Sequence, residues 1–253
     1  MRFDGKVAIV TGAGGGLGKT YAKGLCSEGA AVVIAEYNEA LGKAAEQELC
    51  AAGCKARFIR TDVSNEENVK DTIQKTLDAY GRIDILINNA QGGNAQERLV
   101  EETAAADVDL AWKTGFMGTF LFTKYVIPTM KAQNYGRIVN VASATGVKGM
   151  RTCTSLGPIK EAVRGFTRIC ANELGAFNIM TNVICPGALT ETAKLWKQYN
   201  PEAYQAAMSA QPIPRMGDPE TDICPMVLFL CSEEARFVIG QTLGLDGGTT
   251  MFY

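Results

Sequence analysis

Short apolar runs alternate along this chain with longer stretches whose apolar positions recur at helical spacing. Residues 7–11 (VAIVT), 31–35 (AVVIA), 56–60 (ARFIR), 83–88 (IDILIN), 136–143 (GRIVNVAS), 178–184 (NIMTNVI) and 242–247 (TLGLDG) read as strands. Helices are expected over 17–27, 39–52, 64–80, a long region ending before 136, then 158–175, 190–210 and 219–232. Gly53 stops the second of these as a C-terminal cap, and Ser64 with Glu67 matches a capping box opening the third. The strand runs are continuous and rich in Val and Ile, as in strands covered on both faces. Right-handed crossovers then give an α/β fold, a single doubly wound parallel sheet of about seven strands, Rossmann-like, with helices on both faces. No Pro/Ser-rich linker, charge block or repeat divides residues 1–253, so one domain is expected. Such sheets bind ligands beyond the carboxyl ends of the strands, near the point where strand order reverses.

Composition narrows the function. Net charge is −2, from 25 basic and 27 acidic residues, and the basic residues are scattered, so no nucleic-acid partner is expected. No apolar run reaches the roughly 18–20 residues that span a bilayer, so no membrane partner is expected either. The first strand starts almost at once, leaving no room for a signal peptide, and a cytoplasmic protein is the expectation. Eight cysteines are spread through predicted helices and strands without a C-x-x-C pair, and read as buried reduced thiols. Histidine is absent, which removes His-based triads and His metal sites; no metal residues are assigned.

The first chemical signal follows the first strand. TGAGGGLG, Thr11 to Gly18, opens a helix. Gly12 suits a tight turn, Gly16 lets backbone approach a pyrophosphate, and Gly18 lets helix and strand pack closely. The helix N-terminus offers free N–H groups and a partial positive charge to the anion. The second strand ends at Glu36, whose carboxylate accepts hydrogen bonds from both hydroxyls of an adenosine ribose and repels a 2′-phosphate. NAD is therefore expected over NADP, with Lys6 and Lys19 the nearest cations in sequence.

On these residues the chain resembles the short-chain dehydrogenase/reductase family over essentially its whole length. The Thr11–Gly18 stretch, with Leu17 inside it, is similar to the family's TGxxxGxG loop. Asp62 and Val63 look like its adenine contact. Asn88, Asn89 and Ala90 look like the element under the cofactor, and Pro186, Gly187 and LDGG (245–248) fall at their usual places. The resemblance implies catalysis by Asn, Ser, Tyr and Lys. Hydride leaves a carbinol carbon only as the hydroxyl proton departs, so a base must touch that oxygen. Tyrosine serves when a nearby ammonium and the oxidised nicotinamide lower its pKa.

Carried over position by position, the serine is Ser143 and the lysine Lys160. The tyrosine position, one helical turn before the lysine, is Leu156, and the asparagine position is Gly115. Gln91 stands where glycine is usual, and Glu191 where a nicotinamide-contacting threonine is expected. Gly157 and Pro158 imply a later helix start, with Gly157 biased away from helical angles. Substitute bases are poor: Ser155 is a weak one, Cys153 falls in the preceding loop, and Tyr125 and Tyr135 belong to a helix and its end. The adenosine half is thus kept and the nicotinamide half altered.

Two functions are compatible with that pattern, together with an NAD-sensing binding protein that differs from the first only in its partner. One is a non-catalytic subunit that binds NAD without reacting it, or only retains the fold. It would pair with an active paralogue in a dimer or tetramer, through 108–133 and the Lys160 helix, with hydroxyacyl-CoA oxidation as one setting. The other is an active NAD-dependent alcohol or hydroxyacyl dehydrogenase with an unusual proton acceptor. Its substrate would lie under the 190–210 helices, where Trp196, Tyr199, Tyr204 and Met208 form an apolar lid.

Overall fold

The computed structural model describes residues 1–93 and 98–251. Among the described residues seven strands are present: β1 (Val7–Thr11), β2 (Ala31–Glu36), β3 (Lys55–Arg60), β4 (Ile85–Asn88), β5 (Gly136–Val141), β6 (Ile179–Pro186) and β7 (Thr242–Leu245). They form one sheet in the order β3-β2-β1-β4-β5-β6-β7, with every pairing parallel. The order reverses between β1 and β4, so the crevice expected of a doubly wound sheet opens past Thr11 and Asn88.

The helices are α1 (Gly16–Ser27), α2 (Glu39–Ala51), α3 (Glu66–Tyr80), α4 (Ala105–Ala111), α5 (Gly118–Gln133), α6 (Ala144–Lys148), α7 (Gly157–Leu174), α8 (Glu191–Tyr199), α9 (Pro201–Ser209) and α10 (Cys224–Cys231). One face of the sheet packs on α1, α2 and α10 through Tyr21, Leu25, Leu49, Val227 and Leu230. The other packs on α3, α5 and α7 through Val69, Ile73, Phe122, Val126 and Leu174. Burial on both sides explains why β1, β4 and β5 carry unbroken runs of buried residues.

Local chemistry moves several expected boundaries. The N-cap of α3 is Asn65, not Ser64: its Oδ1 accepts from Glu67 N–H and Asn68 N–H, while the Ser64 hydroxyl turns back to Asp62. Asn38 caps α2 in the same way. Helix α7 begins at Gly157, with Pro158 in its first turn where its missing N–H costs nothing, so the helical start overrides the pre-proline bias expected at Gly157. Between α4 and α5 the chain makes a π-helical turn over Trp112–Met117. The 190–210 segment is two helices, broken at Asn200 before Pro201. All eight cysteines are free thiols, but Cys50 is exposed and Cys54 and Cys153 are half-buried, so only five of the eight are core residues. No helix among the described residues is long and apolar enough to cross a membrane.

Candidate functional site

The glycine loop is built by close contact. Gly12 has φ +64°, a left-handed conformation that glycine takes without strain, and its N–H donates to Ala35 C=O. A Cβ at Gly18 would lie 2.2 Å from the Gly12 carbonyl oxygen and 2.6 Å from Asn89 Nδ2, so only glycine lets α1 start this close to β1. A Cβ at Gly16 would meet nothing within 4 Å, which leaves the loop's outer backbone open to a ligand. The N-cap of α1, Gly15, supplies no side-chain acceptor, and the first turn carries no acidic residue. Its N–H groups remain available to an anion.

Beneath the loop, Thr11 Oγ1 accepts from Asn89 N–H and Ala90 N–H, both at 3.0 Å, and Asn89 Nδ2 donates to the Thr11 and Gly12 carbonyls. Asn88 Nδ2 donates to Asn140 Oδ1 at 2.8 Å, tying β4 to β5. Glu36 lies half-buried at the end of β2, its two oxygens accepting from Gly14 N–H at 3.1 Å and Asn38 N–H at 2.9 Å. A carboxylate has about four acceptor positions, so further hydrogen bonds remain open to it. Lys19 pairs with Glu48, and Lys6 with Asp84, so neither nearby cation is directed at Glu36.

A cavity of about 700 Å³ lies against these groups. Gly12, Gly16, Leu17, Glu36, Asp62, Val63, Asn89 and Ala90 line it, which brings together most of the residues expected to hold an adenosine. Thr11 and Gly18 support its floor from behind. Tyr37, Ser64, Gly93, Leu110 and Thr114 also line it and were not expected. Leu110 and Thr114 are one helical turn apart, a relation visible only once the helix is placed across the crevice.

The other expected residues sit elsewhere. Ser143, Lys160, Pro186 and Gly187 are not on the wall of this cavity. Gly187 N–H donates to the Leu245 carbonyl at 2.9 Å, and a Cβ there would strike Asp246, so the Pro186–Gly187 step docks β6 against the end of β7. Ser143 is the N-cap of α6: its Oγ accepts from Thr145 N–H and lies 2.9 Å from Thr145 Oγ1.

Lys160 is buried, and its Nζ donates to the Val141 carbonyl at 3.0 Å. Burial lowers its pKa from the ordinary lysine value of 10.5 to about 8. The one titratable neighbour that favours its charge is the Cys185 thiol, itself pushed up to about 12 by burial.

One turn before it, Leu156 caps α7, and Lys160 N–H donates to the Leu156 carbonyl at 3.2 Å. The relation expected between positions 156 and 160 is therefore realised, with a hydrocarbon at 156. At Gly115, inside the π turn, a Cβ would stand 2.5 Å from Gln91 Oε1 and 3.0 Å from Ile159 Cγ2. The Gln91 carboxamide thus fills the place a side chain at 115 would take. Its Nε2 reaches the Gly92 and Ala111 carbonyls and Thr114 Oγ1, while its Oε1 is buried without a partner.

Glu191, expected to intrude on this side, instead faces solvent and pairs with Lys194, while Thr190 caps α8. Cys153 lies in the loop before α7, which bridges to Arg98. Ser155 is buried outside the helix. The Tyr125 hydroxyl bonds to Glu66 and the Tyr135 ring packs on Lys6, both directed away from the site. In the expected lid, Trp196 meets Tyr204 edge-on at 5.2 Å, and Tyr204 and Met208 are buried, but Tyr199 is 73% exposed and belongs to no lid.

The residues present fit the adenosine, ribose and pyrophosphate of a dinucleotide.

Residues 12–250 match the family described as enoyl-(acyl carrier protein) reductase. The chain is 34% identical over 251 residues to a 7alpha-hydroxysteroid dehydrogenase of Bacteroides fragilis, covering 99% of this chain and 96% of that one. It is 34% identical over 252 residues to the (2S)-[(R)-hydroxy(phenyl)methyl]succinyl-CoA dehydrogenase subunit BbsD of Thauera aromatica, covering 100% of this chain and 99% of that one. A crystal structure of an NAD+-bound xylitol dehydrogenase superposes with a TM-score of 0.91 at 31% identity, covering 98% of this chain and all of that one.

Proposed function

Because this chain belongs to the short-chain dehydrogenase/reductase family, we propose that it acts as a non-catalytic subunit beside an active paralogue in an NAD-dependent dehydrogenase. One observation carries the reading: Leu156 occupies the turn before Lys160, where a proton acceptor would have to touch the carbinol oxygen. The Lys160 amine points to a backbone carbonyl, and the Ser143 hydroxyl is used as a helix cap. Losing a general acid/base costs on the order of 10²–10⁴ in rate, so residual turnover by this chain is at most a trace of an ordinary dehydrogenase's.

The face we assign to an active partner lies along the π turn, α5 and α7. Trp112, Phe116, Phe166 and Phe120 form a continuous run of aromatic contacts along the π turn, α5 and α7, and Trp112 and Ile169 stand exposed beside it. BbsD of Thauera aromatica, to which the chain is similar, is by name a subunit of a (2S)-[(R)-hydroxy(phenyl)methyl]succinyl-CoA dehydrogenase, and our reading makes this chain the counterpart of a silent subunit in such an enzyme. Hydroxyacyl-CoA oxidation is the corresponding setting. Glu36 favours an unphosphorylated ribose, hence NAD over NADP.

The test is turnover on secondary alcohols and hydroxyacyl thioesters, measured for the isolated chain and for the chain co-expressed with an intact Tyr-Lys relative. Hydride transfer should require the second chain, and the two should co-purify. Ordinary dehydrogenase rates from the isolated chain, lost on Cys153→Ala, would establish the opposite reading, an active enzyme with an unusual proton acceptor.

A further inference from the structure

We propose that Cys26 and Cys54 form a redox modification site: hydrogen peroxide joins the two thiols in a disulfide that staples the last turn of α1 to the start of β3. The site lies at the amino ends of β2 and β3, across the sheet from the crevice. It is independent of the nucleotide cavity and of turnover.

Backbone geometry brings the pair together. Ala31 and Lys55 are register partners in the parallel pairing of β2 with β3, so the residues just before them, Ala30 and Cys54, enter the sheet side by side. Ala30 N–H donates to the Leu25 carbonyl at 3.1 Å and Gly29 N–H to the Cys26 carbonyl at 2.9 Å, which folds the end of α1 back onto that entry. Cys54 is held from its own side. Gly53, at φ +84°, turns the chain after α2, and Cys54 N–H donates to the Leu49 carbonyl at 3.0 Å. The side chains then meet: Cys54 packs on the core cluster that contains Cys26, and the two thiols are hydrogen-bonding neighbours.

Exposure gives the two sulfurs different parts. Cys54 is half-buried and open to a small oxidant. Cys26 is buried, and its thiol is pushed up to about 12, first by burial and then by Cys54, so it is protected from direct attack. In the first step the Cys54 sulfur attacks the O–O bond of hydrogen peroxide. It keeps one oxygen as a sulfenic acid, and the other leaves as water with the thiol proton. In the second step the Cys26 sulfur attacks the sulfenic sulfur. An S–S bond forms, the S–O bond breaks, and that oxygen leaves as a second water with the Cys26 proton. The two thiols together lose two electrons and two protons, and the peroxide is reduced to two waters. Contact takes the place of concentration in the second step, so Cys26 needs little thiolate.

Cys50, exposed in the last turn of α2 with its thiol donating to the Ala56 carbonyl at 3.5 Å, meets the same reagent and shows when oxidant has reached this corner. The full chain is treated with hydrogen peroxide, raised until Cys50 is oxidised. Free thiols are then blocked with N-ethylmaleimide and unreduced peptides are mapped by mass spectrometry. A peptide pair joined through Cys26 and Cys54 should accumulate, and dithiothreitol should return both thiols. In Cys54→Ser the pair should be lost and Cys26 should stay a free thiol while Cys50 reacts as before. Oxidised Cys50 with Cys26 and Cys54 both free overturns the proposal. So does a Cys50–Cys54 link in place of the Cys26–Cys54 one, or oxidation of Cys26 in Cys54→Ser to the parent's extent. The parent's peptide map decides alone if the variant does not fold.

Discussion

The two ends of the crevice were shaped under opposite demands. On the inner side of the glycine loop the atoms are placed by contact: Gly18 against the Gly12 carbonyl, Asn89 against two carbonyls, Thr11 under two N–H groups. Around Lys160 the polar groups have found partners inside the chain or none. The amine holds a carbonyl, the serine caps a short helix, and a glutamine fills a glycine's empty space. Tight geometry is costly to maintain and marks a surface still needed for binding. Groups that satisfy themselves internally are the feature on which the silent-subunit proposal rests.

The contrast can be broken most forcefully at Gly18. Gly18→Ala places a methyl 2.2 Å from backbone that cannot move without shifting β1, so a loss of about 3 kcal/mol or more is expected, with nucleotide binding abolished. A melting temperature within a degree or two of the parent's, with binding intact, would show the loop to be loose and erase the distinction.

Lys160 should show the reverse. Its pKa is lowered to about 8, so below pH 8 the fold must hold a buried ammonium that the unfolded chain keeps in water. Between pH 8 and 10.5 the unfolded chain binds the extra proton, and stability from this group rises with pH. A shift from 10.5 to about 8 corresponds to roughly 3 kcal/mol. Lys160→Met should therefore stabilise the protein at pH 7 by about 2–3 kcal/mol, less the lost bond to Val141, and the advantage should fade by pH 10.5. Buried thiols such as Cys170 and Cys185, raised to about 12, lose stability over the upper part of that range. The variant must accordingly be compared with the parent at each pH by denaturant unfolding. A difference that does not change with pH would mean the amine is hydrated or paired.

The smallest expected effect is at the π turn. Gly115→Asn should cost about 2 kcal/mol, because its Cβ meets the Gln91 carboxamide. Adding Gln91→Gly should recover most of that, giving a non-additive cycle. Simple additivity would mean that the two positions do not share a space.

The sheet and the adenylate end were legible because they depend on local pattern: continuous Val/Ile runs, glycines at fixed offsets, a carboxylate ending a strand. Leu156 was legible too, since helical spacing from Lys160 locates it. Less visible were contacts between segments far apart in sequence. Gln91 stood out as a departure, but nothing at position 91 announces that its side chain reaches position 115. Arg137 reads as one polar residue in a strand, yet it is fully buried and donates to the Ser232, Gly136 and Asn178 carbonyls. Glu191 looked disruptive by its place in the motif, but the N-terminus of α8 turns it outward to Lys194. Such outcomes depend on where chain crossings bring side chains together, and spacing along one segment does not encode that.

The shared volume at 91 and 115 also constrains how either residue can be exchanged. Reinstalling asparagine at 115 while glutamine remains makes the carboxamide move, and trimming the glutamine first leaves its space beside Gly115 empty. Neither order is neutral, so the two positions are coupled, and exchanging both at once should cost the fold less than exchanging either alone.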